Sequence, residues 1–127
     1  VALSWAGSFS GVSRLPADAR AIFTIFILLR AAAPWLRLTH EERSKAASAA
    51  FAPWMKDHPD TKIRYFDAEA FSGRCSDILQ IETDNLAAHC GLMDRLRDSD
   101  LFTVPYYELI DIIPSVEDTF RASNLAA

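Results

Sequence analysis

AIFTIFILLR, residues 21–30, is an uninterrupted series of aliphatic, β-branched and aromatic side chains in which Arg30 is the first charge. So short an apolar run, rich in Ile and Phe, reads as a buried strand rather than a helix. Side chains alternate across a strand, so Phe23, Ile25, Ile27 and Leu29 share one side while Phe26 and Leu28 share the other. A strand that is apolar on both sides belongs in the middle of a sheet and asks for cover on both faces.

The neighbouring segments extend the pattern outward. Ala31 to Pro34 interrupt the strand, and Trp35 with Leu36 supply apolar material for a connection that lines a pocket mouth or caps the core. At Thr39 the sequence THEE places a hydroxyl three residues before Glu42, the reciprocal cap of a helix start. Ala47, Ala50, Phe51, Trp54 and Met55 then recur at helical spacing, with Pro53 predicting a kink or a restarted last turn. TKIRYFDAE, residues 61–69, is a second strand with Ile63, Tyr65 and Asp67 on one face. Phe71 to Arg74 form a turn, and residues 77–82 form a third strand joined to it as a hairpin. Asp84 is expected to cap a second helix carrying Leu86, Cys90, Met93 and Leu96, with Gly91 as its weak point. Residues 103–113 return to strand character, with Pro105 at an edge or an initial position. Ser115 and Asp118 are expected to open a short C-terminal helix.

The order β-α-β-β-α-β is the ferredoxin-like split arrangement of an α+β protein, with helices on one face of an antiparallel sheet. The two-sided apolar first strand predicts that the other face is covered by a second copy, giving a homodimer of the dimeric α+β barrel type. Residues 1–20, a Gly, Ser and Pro mixture with isolated Trp5 and Phe9, read as a peripheral arm. Residues 21–122 form the single domain and 123–127 a frayed tail.

The whole-chain numbers exclude several classes. At 127 residues the chain favours one domain. Acidic residues outnumber basic ones by 17 to 13, for a net charge of -4, which argues against an extended nucleic-acid surface. No apolar run approaches the roughly 20 residues of a membrane span. Cys75 and Cys90 fit no short redox or zinc motif, and reduced thiols in the cytoplasm are the expectation. No phosphate loop, dinucleotide fingerprint, HExxH or serine elbow is present. No metal and no permanently bound cofactor are therefore expected, and a haem held through a histidine rests only on analogy with the architecture.

Candidate chemistry centres on the second and fourth strands. Tyr65 alternates with Asp67, and Tyr106 alternates with Glu108, while Tyr107 points opposite Tyr106 and is expected to pack beneath a helix. Were these strands to share a barrel interior, aromatic walls and two carboxylates would enclose one pocket. Asp67 or Glu108 would then be a general base, with Tyr65 and Tyr106 orienting a ligand. Asp67 and Glu69, two apart, either share a proton, hold a ligand or are simply solvated. Arg74 neutralises a carboxylate, clamps an anionic ligand, or is itself held by Asp77. His89 lies near the apolar face of the second helix as a further ligand-binding candidate. It diverges from Cys90 by about 100° on a helix, so the two make no nucleophilic pair.

The runs FDAEAFSGRCSD (66–77) and FTVPYYELIDIIPSVEDTF (102–120), with IFILLRAAAPWLRLTHEER (25–43), resemble the darcynin family. The likeness extends from about Phe23 to Phe120. It implies a small protein without a secure biochemical assignment, supports the domain boundary and carries no catalytic residues across. The expected function is binding of a small aromatic or hydrophobic organic molecule in a dimeric α+β barrel. The alternatives are a cofactor-independent monooxygenase, isomerase or cyclase acting on an aromatic or polyketide-like substrate, and a structural dimerisation module without ligand.

Overall fold

The computed structural model describes residues 21–118. The arm expected over residues 1–20 and the tail over 123–127 lie outside them. So does most of the expected C-terminal helix, while Ser115, its proposed start, is strand.

The elements are β1 (Phe23–Ala31), α1 (Ala33–Leu36), α2 (His40–Asp57), β2 (Lys62–Asp67), β3 (Asp77–Thr83), α3 (Leu86–Asp98), α4 (Asp100–Thr103) and β4 (Tyr107–Val116). Their order is the ferredoxin-like one, elaborated by two single-turn helices that occupy the connections before α2 and before β4. The Thr39 hydroxyl accepts from the Glu42 amide while Glu42 accepts from the Thr39 amide, closing the reciprocal cap of α2. Helix α2 runs unbroken through Pro53, which sits on its exposed side. The cap of α3 is Asn85 rather than Asp84, its side chain accepting from the Ala88 amide.

The sheet has the order β2-β3-β1-β4, all neighbours antiparallel. The apolar run thus occupies a central strand. Ile25, Ile27 and Leu29 alternate inward with Leu79 and Ile81 of β3, and against them pack Ala50 and Trp54 of α2 and Leu92, Met93 and Leu96 of α3. Pro105 precedes β4, and Pro114 within it is tolerated because β4 is an edge bonded on one side only.

The barrel expectation is overturned. The sheet is open and uncurled, with β2 and β4 as unpaired outer strands. A closed barrel pairs every strand on both sides, and here β2 and β4 have one neighbour each. Phe26 and Leu28 made the first strand look two-sided, yet they are only half buried on the outer face, shielded by their neighbours along the sheet.

The pairing of β4 with β1 slips by one residue between Leu28 and Leu29: Leu28 faces Asp111 and Leu29 faces Leu109. The extra residue, Ile110, forms a bulge that inverts the alternation of everything before it. Counting back by twos from Ile112 would bring Ile110, Glu108 and Tyr106 to the helix side. The bulge brings Leu109 and Tyr107 there instead.

Candidate functional site

A cleft of about 440 Å³ opens between the helices and the sheet, near the C-terminal end of β1 and the start of β3. Leu29 and Ala31 of β1, Leu79 of β3, Ala47 and Phe51 of α2, Leu96 of α3 and Phe102 of α4 give it apolar walls. Trp35 and Leu36 of α1 also line it, as their position in the connection suggested. One end is polar: Tyr65, Asp67 and Glu69 from β2 and its turn, Asp77 from β3 and Tyr107 from β4.

Hydrogen bonds organise that end. The Tyr65 hydroxyl donates to Asp77 Oδ1, and the Ser76 hydroxyl donates to Asp77 Oδ2 at 2.6 Å. Tyr107 lies 3.1 Å from Tyr65, hydroxyl to hydroxyl, and donates because the Tyr65 proton is committed to Asp77. The result is a chain from Tyr107 to Tyr65 to the Asp77 carboxylate. Asp77 is 8% exposed, placed in strand phase with Leu79, Ile81 and Thr83. Burial and the bond to Asp77 push the Tyr65 phenol far above its ordinary value, and burial pushes Tyr107 up to about 12. Both remain neutral phenols over any ordinary pH.

Trp35 packs its ring against Tyr107 at 4.9 Å and against Tyr106 at 5.6 Å. Over its other neighbour, Arg43 of α2, the guanidinium stands 5.8 Å from the indole. Arg43 donates through Nε to the Trp35 carbonyl and through Nη2 to the Leu36 carbonyl, so this cation is tied to the backbone of α1.

The residues singled out from the sequence are not all brought together. Tyr65 and Asp67 line the cleft, and Asp67 Oδ1 accepts from the Glu69 amide. Glu108 is on the outer face of the sheet, 3.6 Å from Arg30, so it shares no site with Asp67. Tyr106 precedes β4 and serves as packing for Trp35. Arg74 is held through its backbone, the amide bonded to Ser72 and the carbonyl accepting from Arg30. His89 is on α3 away from the cleft lining, its Nδ1 buried without a hydrogen-bond partner and its pKa lowered by that burial. No group of three potential metal ligands occurs among the described residues.

Tyr107 and Asp77 were missed as site residues. Asp77 left a signal, a charged residue in phase with Leu79 and Ile81. Tyr107 was expected to point opposite Tyr106, beneath a helix, and it lies on the helix side; what had no local mark is its meeting with Tyr65 beside Asp77.

These findings overturn the expected function. All its versions placed the chemistry or the contact in a sheet-lined dimeric barrel. The sheet is open, the enclosed space lies on the helix side, and the Asp67 and Glu108 acid–base pair is divided between the two faces.

A family model described as Darcynin, domain of unknown function, matches residues 12–126. A Chromobacterium violaceum protein named Darcynin is 56% identical over 64 residues, covering 50% of this chain and 81% of the relative. Darcynin 1 of Acinetobacter baumannii is 38% identical over 85 residues, covering 67% of this chain and 94% of the relative. Among solved structures, a haem-binding protein from Thermus thermophilus aligns with a TM-score of 0.66 at 10% identity, over 87% of this chain and 45% of its own. Chlorite dismutase from Candidatus Nitrospira defluvii aligns with a TM-score of 0.63 at 9% identity, over 79% of this chain and 41% of its own. The chain spans less than half of either structure, and at such identity the likeness is one of fold.

Proposed function

The chain belongs to the Darcynin family, and from that premise we propose that it is a binding protein whose helix-covered cleft takes one small amphipathic molecule, apolar along its body and hydrogen-bond donating at its head. One observation carries this reading: an apolar cleft of about 440 Å³ ends in oxygen acceptors held in place by a part-buried chain of hydroxyls. Clefts of a few hundred cubic ångströms with a few convergent polar groups are the usual form of small-molecule sites. Neutral phenols that already donate inward leave their remaining lone pairs, and those of Asp67 and Glu69, for a donor from the ligand.

The haem that the Thermus thermophilus neighbour is named for does not fit this cleft. The lining contains no histidine, cysteine or methionine to ligate iron. Its tyrosines are held protonated, and its carboxylates would oppose the propionates.

The test is a fragment titration followed by the indole resonance of Trp35, on the parent protein and on Ala47→Trp. Ala47 lines the cleft, and an indole there fills it. Binding is expected in the parent and absent from the folded variant. Equal binding to both places the site elsewhere.

We propose in addition that the outer sheet face pairs with a second copy of the chain. Phe26, Leu28, Phe66, Ile78 and Ile113 give that face an apolar centre. Lys62, Arg64 and Arg30 are matched there by Glu82, Glu108 and Asp111, and a two-fold contact sets such a balanced patch against itself without net repulsion. No helix among the described residues is long and apolar enough to cross a membrane. Free thiols at Cys75 and Cys90 favour a reducing compartment such as the cytoplasm.

A further inference from the structure

The polar end of the cleft is unbalanced in charge. Asp77 is more than nine-tenths buried and lines the cleft, yet both its hydrogen-bond donors, Tyr65 and Ser76, are neutral. Among the described residues, none forms an ion pair with it. Asp67 and Glu69 stand at the same end, their side chains exposed at the mouth. The lining offers one cation, Arg43, and two of its nitrogens are spent on the carbonyls of Trp35 and Leu36. Three carboxylates against one committed guanidinium leave a negative potential at this end, strongest at the buried Asp77, where water screens it least.

We infer that the head group of the cleft's ligand is cationic: an organic ammonium with its charge beside Asp67, Asp77 and the Tyr65 hydroxyl, and its apolar group among Leu29, Phe51, Leu79 and Leu96. This rests on the reading of the cleft as a small-molecule site and adds the class of molecule. Carboxylate- and phosphate-bearing compounds meet like charge at the same end. An ammonium donates three hydrogen bonds, accepts none, and supplies the missing counter-charge to the buried carboxylate.

The experiment is calorimetric titration of the full chain at neutral pH with three probes of matched size: 2-phenylethylammonium, 2-phenylethanol and phenylacetate. The ammonium is expected to bind about tenfold more tightly than the alcohol, the range in which a charge-assisted bond exceeds a neutral one. Phenylacetate is expected to bind more weakly than either. In the double variant Asp67→Asn, Glu69→Gln the ratio of ammonium to alcohol affinity should shrink, and an unchanged ratio counts against the cationic assignment. Alcohol binding equal to ammonium binding, or phenylacetate as the best of the three, overturns the cationic assignment and leaves the cleft as a site. Failure of all three to bind overturns both.

Discussion

Asp77 and its two tyrosine neighbours set the character of the cleft one residue at a time. A carboxylate buried among Leu79 and Ile81 is stable only because hydroxyls reach both of its oxygens. Replacing Tyr65 by Phe strips one of them and leaves the Tyr107 hydroxyl without its acceptor. The expected cost is about 1–3 kcal/mol, read from urea denaturation. The same pair predicts a pH dependence whose sign follows from burial. Both phenols lose their proton at higher pH folded than unfolded, so their contribution is complete below about pH 10, where the unfolded phenols begin to ionise. It falls as pH rises, through Tyr107 near 12 and through Tyr65 beyond it. The denaturation midpoint should hold steady up to about pH 10 and then drop, less steeply in Tyr65→Phe; a flat alkaline profile in the parent would contradict the burial of these hydroxyls.

At the scale of elements, α2 and α3 respond to substitutions in opposite directions. Thr39→Ala opens the reciprocal cap of α2 and should lower stability by about 1 kcal/mol. Gly91→Ala, within α3, should raise it by about 0.5–1 kcal/mol, because alanine restricts the unfolded chain and favours the helix. The new methyl would lie 3.8 Å from Trp54 Nε1, an ordinary contact. Opposite shifts in the urea midpoint at unchanged slope check both; a destabilised Gly91→Ala would mean that α3 packs more tightly on Trp54 than this distance allows. Strand β4 shows where local reading stops. Its strand character was legible from YYELIDII, and so was the placing of Tyr107 under the helices opposite Tyr106; its register was not, nor that Tyr65 and Asp67 of β2 share the face of Tyr107 rather than that of Glu108. A bulge arises from how β4 pairs with β1, and nothing within β4 itself marks it.

For the whole molecule, the open sheet gives one face to the helices and leaves the other uncovered among the described residues. If a second copy covers Phe26 and Leu28, the parent chain should sediment as a dimer and Leu28→Glu as a folded monomer. A monomeric parent at high protein concentration would remove the second copy from the account. The single-turn helices α1 and α4 were not written in the sequence, whereas the kinds and order of the six main elements, the central place of residues 21–30, the cap at Thr39 and the hairpin between β2 and β3 all were. Each depends on spacing within a few residues, and the periods of helix and strand act at that range. The openness of the sheet and the register of β4 were settled only in three dimensions. So was the meeting of Tyr65 with Asp77 and Tyr107, 12 and 42 residues away along the chain. Alternation says that a side chain turns to one side of its strand; which side becomes a cleft depends on where distant strands pair and which face the helices cover.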